Sequence, residues 1–405
     1  VIDNKCRLHL LCVYVKSLLS EKQEPIMNII ILLLAGTFVI SMLTGFCFIP
    51  AILTFCKKKK LYDIPDERKV HHDAIPRLGG ISFLPSMLLA AIIMLLTFEN
   101  VTGQQKIIIN SWTASFVISL LIIYCVGIVD DIVGLKAKTK FIFQLVAASL
   151  LPISGLYINN LYGFLGIYEI PFFVGFPLTV LCIAFVDNAM NLIDGIDGLS
   201  SSLAFIALAG FLYGFYCIHM YVYCLMIMGL MGILFAYMYY NIFGTVANGL
   251  KIFMGDSGSL TLGFMLSFFT VKFAMSRPDL IPDGKYVIDL FGIALPYEKV
   301  RLAFVYTLLI VPTFDVFRVI FVRLYHHTSI FNPDKRHIHH KLLATGLNQH
   351  QALVVIIFLQ LMFIVLNGIL IPHLDVTSIV CVDIVVFTVV NMVITRFVKE
   401  GVEKN

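Results

Sequence analysis

The sequence contains little charge and almost no tryptophan. Only 13% of its 405 residues are Asp, Glu, Lys or Arg, and one is Trp, whereas 59% are hydrophobic. A soluble domain carries about 25% charged residues, so this composition excludes a soluble globular protein. It predicts an all-α polytopic membrane protein.

Three further patterns are missing. The nine cysteines form no CxxC pair and most lie in apolar runs, which indicates buried free thiols rather than a disulfide framework or a zinc site. The GxxxxGK[ST] pattern is absent, which argues against a P-loop ATPase. The DGxxAR motif of CDP-alcohol phosphotransferases is absent as well.

Long apolar runs divide the chain into about eleven predicted transmembrane helices. Residues 1–26 fit this pattern poorly, so we expect either an amphipathic lead-in or a natural start at Met27, with 27–405 forming a single integral-membrane domain. The predicted spans are 28–53, 80–97, 112–129, 141–157, 172–190, 199–216, 221–241, 257–274, 302–322, 352–371 and 376–395.

Lys and Arg are unequally divided between alternate loops. One set of loops carries 18 of them and the other set carries 5, so the positive-inside rule places the first set in the cytoplasm. The four lysines at 57–60 are the strongest anchor, although such a cluster is also typical of an anionic-lipid contact. The N-terminus is therefore predicted outside and the C-terminus in the cytoplasm.

Five polar motifs all fall in or beside the predicted cytoplasmic loops: PRLGG at 76–80, Asp-Asp at 130–131, NAMNLIDGIDGL at 188–199, GDSGS at 255–259 and HIHH at 337–340. This grouping predicts one composite active site in the cytoplasmic loops. A transporter would instead place charges near the membrane midplane. The spans offer only Lys272, Asp315, Arg318 and Asp383, for which the sequence suggests no obvious partners.

The stretch NAMNLIDGIDGL has a polar residue at every third position. On a regular helix this spacing turns each residue by about 60° from the one before, so the four cannot share a narrow face. The interleaved glycines predict that the helix unwinds. We expect Asn188 and Asn191 on its last turn, and Asp194 and Asp197 on a loop at the membrane edge.

The other motifs leave alternatives open. The pair at 130–131 either stops a helix, binds a hard cation or accepts a proton. Asp256 begins a span where free backbone N–H groups favour an anion, and it either caps the helix or, as we favour, binds Mg²⁺. The HIHH segment, flanked by Lys and Arg, indicates a basic phosphate-facing patch rather than a zinc site. Together these groups suit phosphoryl transfer.

With these five motifs in this order, the chain resembles the polyprenyl-phosphate N-acetylhexosamine-1-phosphate transferases of glycosyltransferase family 4. Its HIHH motif is similar to that of the WecA/TagO-like branch of the superfamily that includes the translocase MraY. The resemblance covers nearly the whole chain from Met27 onward. It implies transfer of N-acetylhexosamine-1-phosphate, most commonly GlcNAc-1-phosphate, from the UDP-sugar to undecaprenyl phosphate, with release of UMP.

The resemblance also implies the setting of this reaction. It places the protein as a multi-pass transferase in the bacterial cytoplasmic (inner) membrane, where it initiates a cell-surface glycan. Mg²⁺ is the implied cofactor, with Mn²⁺ as an alternative. The expected partners are the UDP-sugar, undecaprenyl phosphate and membrane lipid, with no nucleic acid, and a homodimer is compatible with the family.

Site roles follow from the same resemblance. The implied catalytic residues are Asp130, Asp131, Asp194 and Asp197; the metal ligands are Asp256 and Asn191; the substrate-binding residues are Lys140, Asn188, Phe253, His337, His339, His340 and Arg77. One-step attack is favoured over a covalent aspartyl intermediate, because two phosphates and a metal suffice.

Two other functions are weighed against this one. A UbiA-like intramembrane prenyltransferase also uses clustered Asp and Asn with Mg²⁺, but it needs two aspartate-rich motifs and only one region here comes close. A polytopic transporter is the second alternative. The predicted outer loop at 275–301 is longer than a bare connection and receives no function.

Overall fold

The computed structural model describes residues 4–63, 73–102, 110–276, 284–329 and 335–402. The helices are α1 (Asn4–Lys59), α2 (Phe83–Thr102), α3 (Ser111–Val133), α4 (Ala137–Ile153), α5 (Phe172–Ile193), α6 (Leu199–Cys217), α7 (Tyr221–Met238), α8 (Gly255–Ala274), α9 (Tyr297–Leu308), α10 (Ile310–Tyr325), α11 (Ile338–Ala344), α12 (Gln349–Leu370) and α13 (Val376–Val402). The strands are β1 (Tyr62–Asp63), β2 (Ile75–Pro76), β3 (Asn160–Phe164), β4 (Ile167–Glu169), β5 (Val287–Leu290) and β6 (Ile293–Pro296).

The helices confirm a polytopic membrane protein. Within the described residues, nine helices are long and apolar enough to cross a membrane, the first of them from Met27, and the α9–α10 pair, bent by 66°, makes up to ten. Helix α4 covers most of the predicted span 141–157, but its 17 residues extend only about 26 Å, near the lower limit for crossing. The count of eleven, the orientation and the status of residues 1–26 stay predictions.

Three antiparallel strand pairs, β1–β2, β3–β4 and β5–β6, modify the all-α prediction. The last pair lies within the predicted 275–301 loop, of which 277–283 fall outside the described residues. Helix α9 begins at Tyr297, earlier than predicted. The Arg301 guanidinium is buried between the rings of Tyr162 and Tyr297, at 4.5 and 4.6 Å, so this region is anchored to the bundle by cation–π contacts.

Helix α8 occupies the centre of the bundle. Its span is buried along its whole length, and it packs against α3 and α5. Small residues permit this approach: a Cβ added to Gly127 of α3 would lie 2.6 Å from Ser257, and Gly80 lies directly against the Gly258 backbone. Close helix packing through small residues is common in membranes. It brings the first turn of α8 against α3 and the PRLGG segment.

Charged residues inside the spans have partners, contrary to our expectation. Arg318 pairs with Asp315 at 2.7 Å. Asp383 accepts a hydrogen bond from the Asn367 amide at 2.9 Å. The Lys272 ammonium lies 4.5 Å from the centre of the tryptophan ring. Because an isolated charge is costly in the membrane, these contacts explain how the bundle accommodates the four residues.

Candidate active site

The NAMNLIDGIDGL stretch adopts the predicted helix-to-loop transition. Helix α5 ends at Ile193 and α6 begins at Leu199. Asn188 and Asn191 therefore lie on the last turns of α5, whereas Asp194 and Asp197 lie on the connecting loop. Gly198 has a φ of 74°, a left-handed conformation that glycine adopts without a steric penalty.

A cavity of about 380 Å³ opens beside this loop. Eight of the thirteen predicted site residues line it: Arg77, Asp131, Asn191, Asp194, Asp197, Phe253, Asp256 and His340. The other five, Asp130, Lys140, Asn188, His337 and His339, do not line it but lie around it, as the contacts below show. Residues from all five motifs thus meet at one site.

Asp131 binds the N-terminus of α8. Its two carboxylate oxygens accept hydrogen bonds from the backbone N–H groups of Asp256 at 2.8 Å and Ser257 at 2.9 Å. A helix N-terminus favours an anion because its first N–H groups are unpaired and its dipole end is positive. The anion site that the sequence predicts at this helix start is therefore filled by the protein's own carboxylate, which fixes Asp256 in place.

Lys140 links two carboxylates across the site. Its ammonium lies 2.9 Å from Asp130 and 3.0 Å from Asp256. The second oxygen of Asp130 accepts the backbone N–H of Leu135. Both oxygens of Asp130 thus have a donor, which stabilises the ionised carboxylate. Lys140 places one positive charge beside the first turn of α8.

The oxygen atoms around Asp256 fit Mg²⁺. Asn191 donates its amide N–H groups to Asp256 Oδ1 and to Ser259 Oγ, the latter at 2.8 Å, which leaves the Asn191 carbonyl oxygen available. Among the described residues, no three His, Cys, Asp or Glu side chains form a metal cage. One carboxylate, one amide oxygen and substrate phosphates suit Mg²⁺, whereas a structural zinc site requires a complete N/S ligand set.

The two loop aspartates have different environments. Asp197 forms an ion pair with Lys251 at 2.6 Å. Asp194 has no hydrogen bond or ion pair with any part of the chain that the structure describes. Burial raises the pKa of Asp194 to about 7, with further contributions from the negative charges of Asp256, Asp197 and Asp131. Asp194 is therefore the loop carboxylate that changes its protonation state near neutral pH.

The histidines of HIHH have three separate environments. His337 Nδ1 lies 2.8 Å from Asp315, which also accepts the Ile338 backbone N–H at 3.1 Å. Burial lowers the pKa of His339 to about 3, so this imidazole is neutral at pH 7. The prediction of a basic patch is therefore wrong at His339. A substrate-binding role for His339 stays a prediction. His340 reaches the cavity.

Gly195 allows α11 to approach the aspartate loop. A Cβ added there would overlap with the imidazole of His339, which is 1% exposed and cannot swing away. We expect Gly195→Ala to displace the loop and lower kcat/KM by about 30-fold, since misplaced catalytic groups carry such costs. The measurement compares kcat/KM with that of Gly36→Ala, where the added Cβ meets only the flexible end of Met94. Equal activity of the two variants would contradict this role of Gly195.

Sequence reasoning missed several residues around the site. Lys251 lies in the loop just before GDSGS, but its pairing with Asp197 depends on the folded chain. Asp315 and Arg318 carried a usable signal, because opposite charges three residues apart in an apolar span indicate a paired site. Gln144, which contacts Asn188 at 3.0 Å, lies one helical turn after Lys140.

The sequence matches the glycosyl transferase family 4 model over residues 112–274. It is 30% identical over 339 residues to a probable undecaprenyl-phosphate N-acetylglucosaminyl 1-phosphate transferase of Bacillus subtilis (strain 168), covering 80% of this chain and 82% of that relative. It is 31% identical over 313 residues to a decaprenyl-phosphate N-acetylglucosaminephosphotransferase of Mycobacterium tuberculosis (strain ATCC 25618 / H37Rv), covering 73% and 72%. A third relative, an undecaprenyl-phosphate alpha-N-acetylglucosaminyl 1-phosphate transferase of Escherichia coli (strain K12), is 26% identical over 307 residues, or 74% of each chain.

Proposed function

The chain belongs to the polyprenyl-phosphate N-acetylhexosamine-1-phosphate transferases of glycosyl transferase family 4, and from this premise we propose that it transfers GlcNAc-1-phosphate from UDP-GlcNAc to undecaprenyl phosphate. The products are undecaprenyl-diphospho-GlcNAc and UMP. The observation that carries the proposal is the meeting of residues from all five polar motifs at one cavity.

The reaction takes place at the cytoplasmic face of a bacterial inner membrane and starts a cell-surface glycan. The excess of Lys and Arg in the loops that contain the site supports this orientation. A site at the membrane edge suits the two substrates, because the sugar nucleotide is soluble whereas the acceptor keeps its chain in the bilayer.

The transfer is a phosphoryl-group substitution. A phosphate oxygen of the lipid attacks the phosphorus attached to the sugar, and the bond from this phosphorus to the bridging oxygen of UMP breaks. Lys140 offsets negative charge beside Asp130 and Asp256. Phe253 lines the cavity and offers a ring on which uracil stacks. Positioning and charge compensation are the main contributions a protein makes to this chemistry.

Asp256 and Asn191 are the residues that would hold Mg²⁺, or Mn²⁺ in its place. When bound, the cation supplies positive charge to the donor's phosphate oxygens. Asp131 holds the Asp256 backbone in place, because its two oxygens accept the first N–H groups of α8. This assignment leaves Asp194 to accept the proton of a lipid phosphate that arrives protonated.

The pH dependence follows from Asp194. A base with a pKa of about 7 is mostly protonated at pH 6 and mostly ionised at pH 8, so we expect kcat/KM at pH 6 to be about tenfold below its value at pH 8. The profile is measured at saturating Mg²⁺. Asp194→Asn lowers the rate at pH 8 and flattens the profile between pH 6 and pH 8, whereas a variant with the wild-type rate and a profile as steep as that of wild type would contradict this role.

The function is tested by a direct assay. Membranes containing the protein receive UDP-GlcNAc labelled in the sugar, undecaprenyl phosphate and Mg²⁺, and parallel reactions receive UDP-GalNAc. The proposal expects labelled lipid from UDP-GlcNAc with one UMP released for each lipid formed. Absence of both products would overturn the proposed function. Faster turnover of UDP-GalNAc would show that GalNAc, rather than GlcNAc, is the sugar that the protein prefers.

A further inference from the structure

Behind Asn188 lies a buried polar pair that none of the motifs contains. Gln144 of α4 and Asp187 of α5 are each 1% exposed. The Gln144 amide N–H donates to Asp187 Oδ2 at 2.9 Å. The Gln144 carbonyl oxygen accepts from the Asn188 amide at 3.0 Å. These three side chains form a short hydrogen-bonded chain that runs from the buried pair to Asn188 of the NAMNLIDGIDGL stretch.

The order of donors and acceptors in this chain determines the orientation of both amides. The Gln144 NH₂ group faces Asp187 Oδ2, which accepts its hydrogen bond, and the Gln144 carbonyl oxygen faces Asn188. That carbonyl in turn requires the Asn188 NH₂ group. The backbone carbonyl of Ala184 accepts from the same NH₂ group at 2.7 Å, so two independent acceptors impose one orientation on Asn188.

None of the described residues donates a hydrogen bond to the carbonyl oxygen of Asn188, so this oxygen is the atom left for a ligand. Asn188 is half-buried, and its NH₂ group is shared between Gln144 and Ala184. A carbonyl oxygen binds a positively polarised group, such as a hydroxyl or amide hydrogen of the sugar or a divalent cation. It repels a phosphate oxygen, which a free NH₂ group would attract.

Packing holds the pair in place. A Cβ added to Gly263 of α8 would lie 2.7 Å from the Asp187 Cα and 2.8 Å from Asp187 Oδ1, so Asp187 rests directly on the central helix. Gln144 lies one turn after Lys140 on α4. The pair therefore connects the three helices that carry Lys140, Asn188 and Asp256.

We propose that Gln144 and Asp187 are positioning residues that present the Asn188 carbonyl oxygen to a positively polarised group of the substrate complex. The inference rests on the proposed function for the identity of that complex. Independently of that identity, the order of donors and acceptors along the chain, rather than the mere presence of polar groups, determines which atom of Asn188 is presented.

The test exchanges donor and acceptor along the chain. Gln144→Glu removes the N–H group that donates to Asp187 Oδ2 and brings a second buried acidic group beside it, and we expect a loss of about 30-fold in kcat/KM. Asp187→Asn keeps a carbonyl oxygen for Gln144 and changes kcat/KM by less than about threefold. In the double variant, the new amide at 187 donates to the new carboxylate at 144, which accepts from Asn188. We therefore expect the double variant to recover to within about fivefold of wild type.

A matched control separates this effect from the general cost of a buried glutamate. Gln360 of α12 is fully buried and donates to the Thr307 carbonyl at 2.9 Å, outside the active site. Gln360→Glu lowers the yield of folded protein, but Asp187→Asn does not rescue it. The KM for UDP-GlcNAc and the activation constant for Mg²⁺ are measured for Gln144→Glu. A rise in this KM indicates that Asn188 binds a hydrogen of the sugar, whereas a rise in the activation constant indicates that it binds a cation.

The outcomes separate the two proposals. When the wild-type protein makes lipid product, either of two results shows that the inference is wrong. In the first, kcat/KM of the double variant is as low as that of Gln144→Glu. In the second, kcat/KM of Gln144→Glu equals that of wild type. If the wild-type protein makes no product, the proposed function fails. The inference is then tested by the melting temperatures of wild type, the two single variants and the double variant. A double variant that melts at a higher temperature than Gln144→Glu supports the proposed order of donors and acceptors, and one that melts at a lower temperature overturns it.

Discussion

An Asp256→Asn variant turns over at about one thousandth of the wild-type rate, as expected when a charge that organises phosphate groups is removed. Asparagine keeps an oxygen that accepts from Asn191, and the backbone N–H that binds Asp131 is unchanged. The variant should therefore insert and fold normally. What it loses is the negative charge that Lys140 and a cation require. Initial rates over a range of Mg²⁺ concentrations, normalised to folded protein, measure the effect.

Asp289→Asn is the control for this change. Asp289 is exposed in the β5–β6 hairpin, away from the cavity, and its carboxylate accepts the Gly292 backbone N–H at 2.7 Å. The same isosteric change there should leave the rate within about twofold, as for most surface substitutions. An Asp256→Asn variant with the wild-type rate and Mg²⁺ dependence would remove Asp256 from the proposed metal site.

Lys140→Met lowers kcat/KM by about a hundredfold, because two neighbouring carboxylates lose the cation between them. Asp130 and Asp256 then repel each other, and the first turn of α8 loses the positive charge that faces the substrate. Lys140→Arg restores part of the activity, since it keeps the charge but not the position of the single ammonium. Steady-state kinetics on purified protein give kcat and KM separately.

Lys138→Met is the matched control. Lys138 stands two residues earlier on the same helix and is exposed, so its loss tests the effect of a positive charge near the membrane surface without a contact to either carboxylate. We expect its kcat/KM to stay within about twofold of wild type. Equal losses in the two variants would show that Lys140 acts through the general surface charge and would contradict the bridging role.

Local chemistry made much of the site predictable. The glycines in NAMNLIDGIDGL predicted the end of α5, and the structure places Asn188 and Asn191 on its last turns, with Asp194 and Asp197 on the loop. The hydrophobic runs predicted the helical membrane bundle in the same way. These features depend on backbone propensity and on the length of apolar segments, which a sequence displays directly.

Pairings between distant segments were not predictable in this way. Asp131 binds the N-terminus of α8 across 125 positions of sequence, and Lys251 neutralises Asp197. The neutral state of His339 follows from burial against Gly195, which its basic neighbours in sequence do not indicate. Each of these properties depends on which helices become neighbours, and this is determined by packing around α8.

The central claim is that a sugar and its attached phosphate move together to the lipid. UDP-GlcNAc carrying ³²P in the phosphate attached to the sugar tests it directly, with purified protein, undecaprenyl phosphate and Mg²⁺. The account predicts that the ³²P appears in the lipid fraction, with unlabelled UMP released in equal amount. Recovery of the ³²P in released UDP, with only the sugar on the lipid, would contradict it.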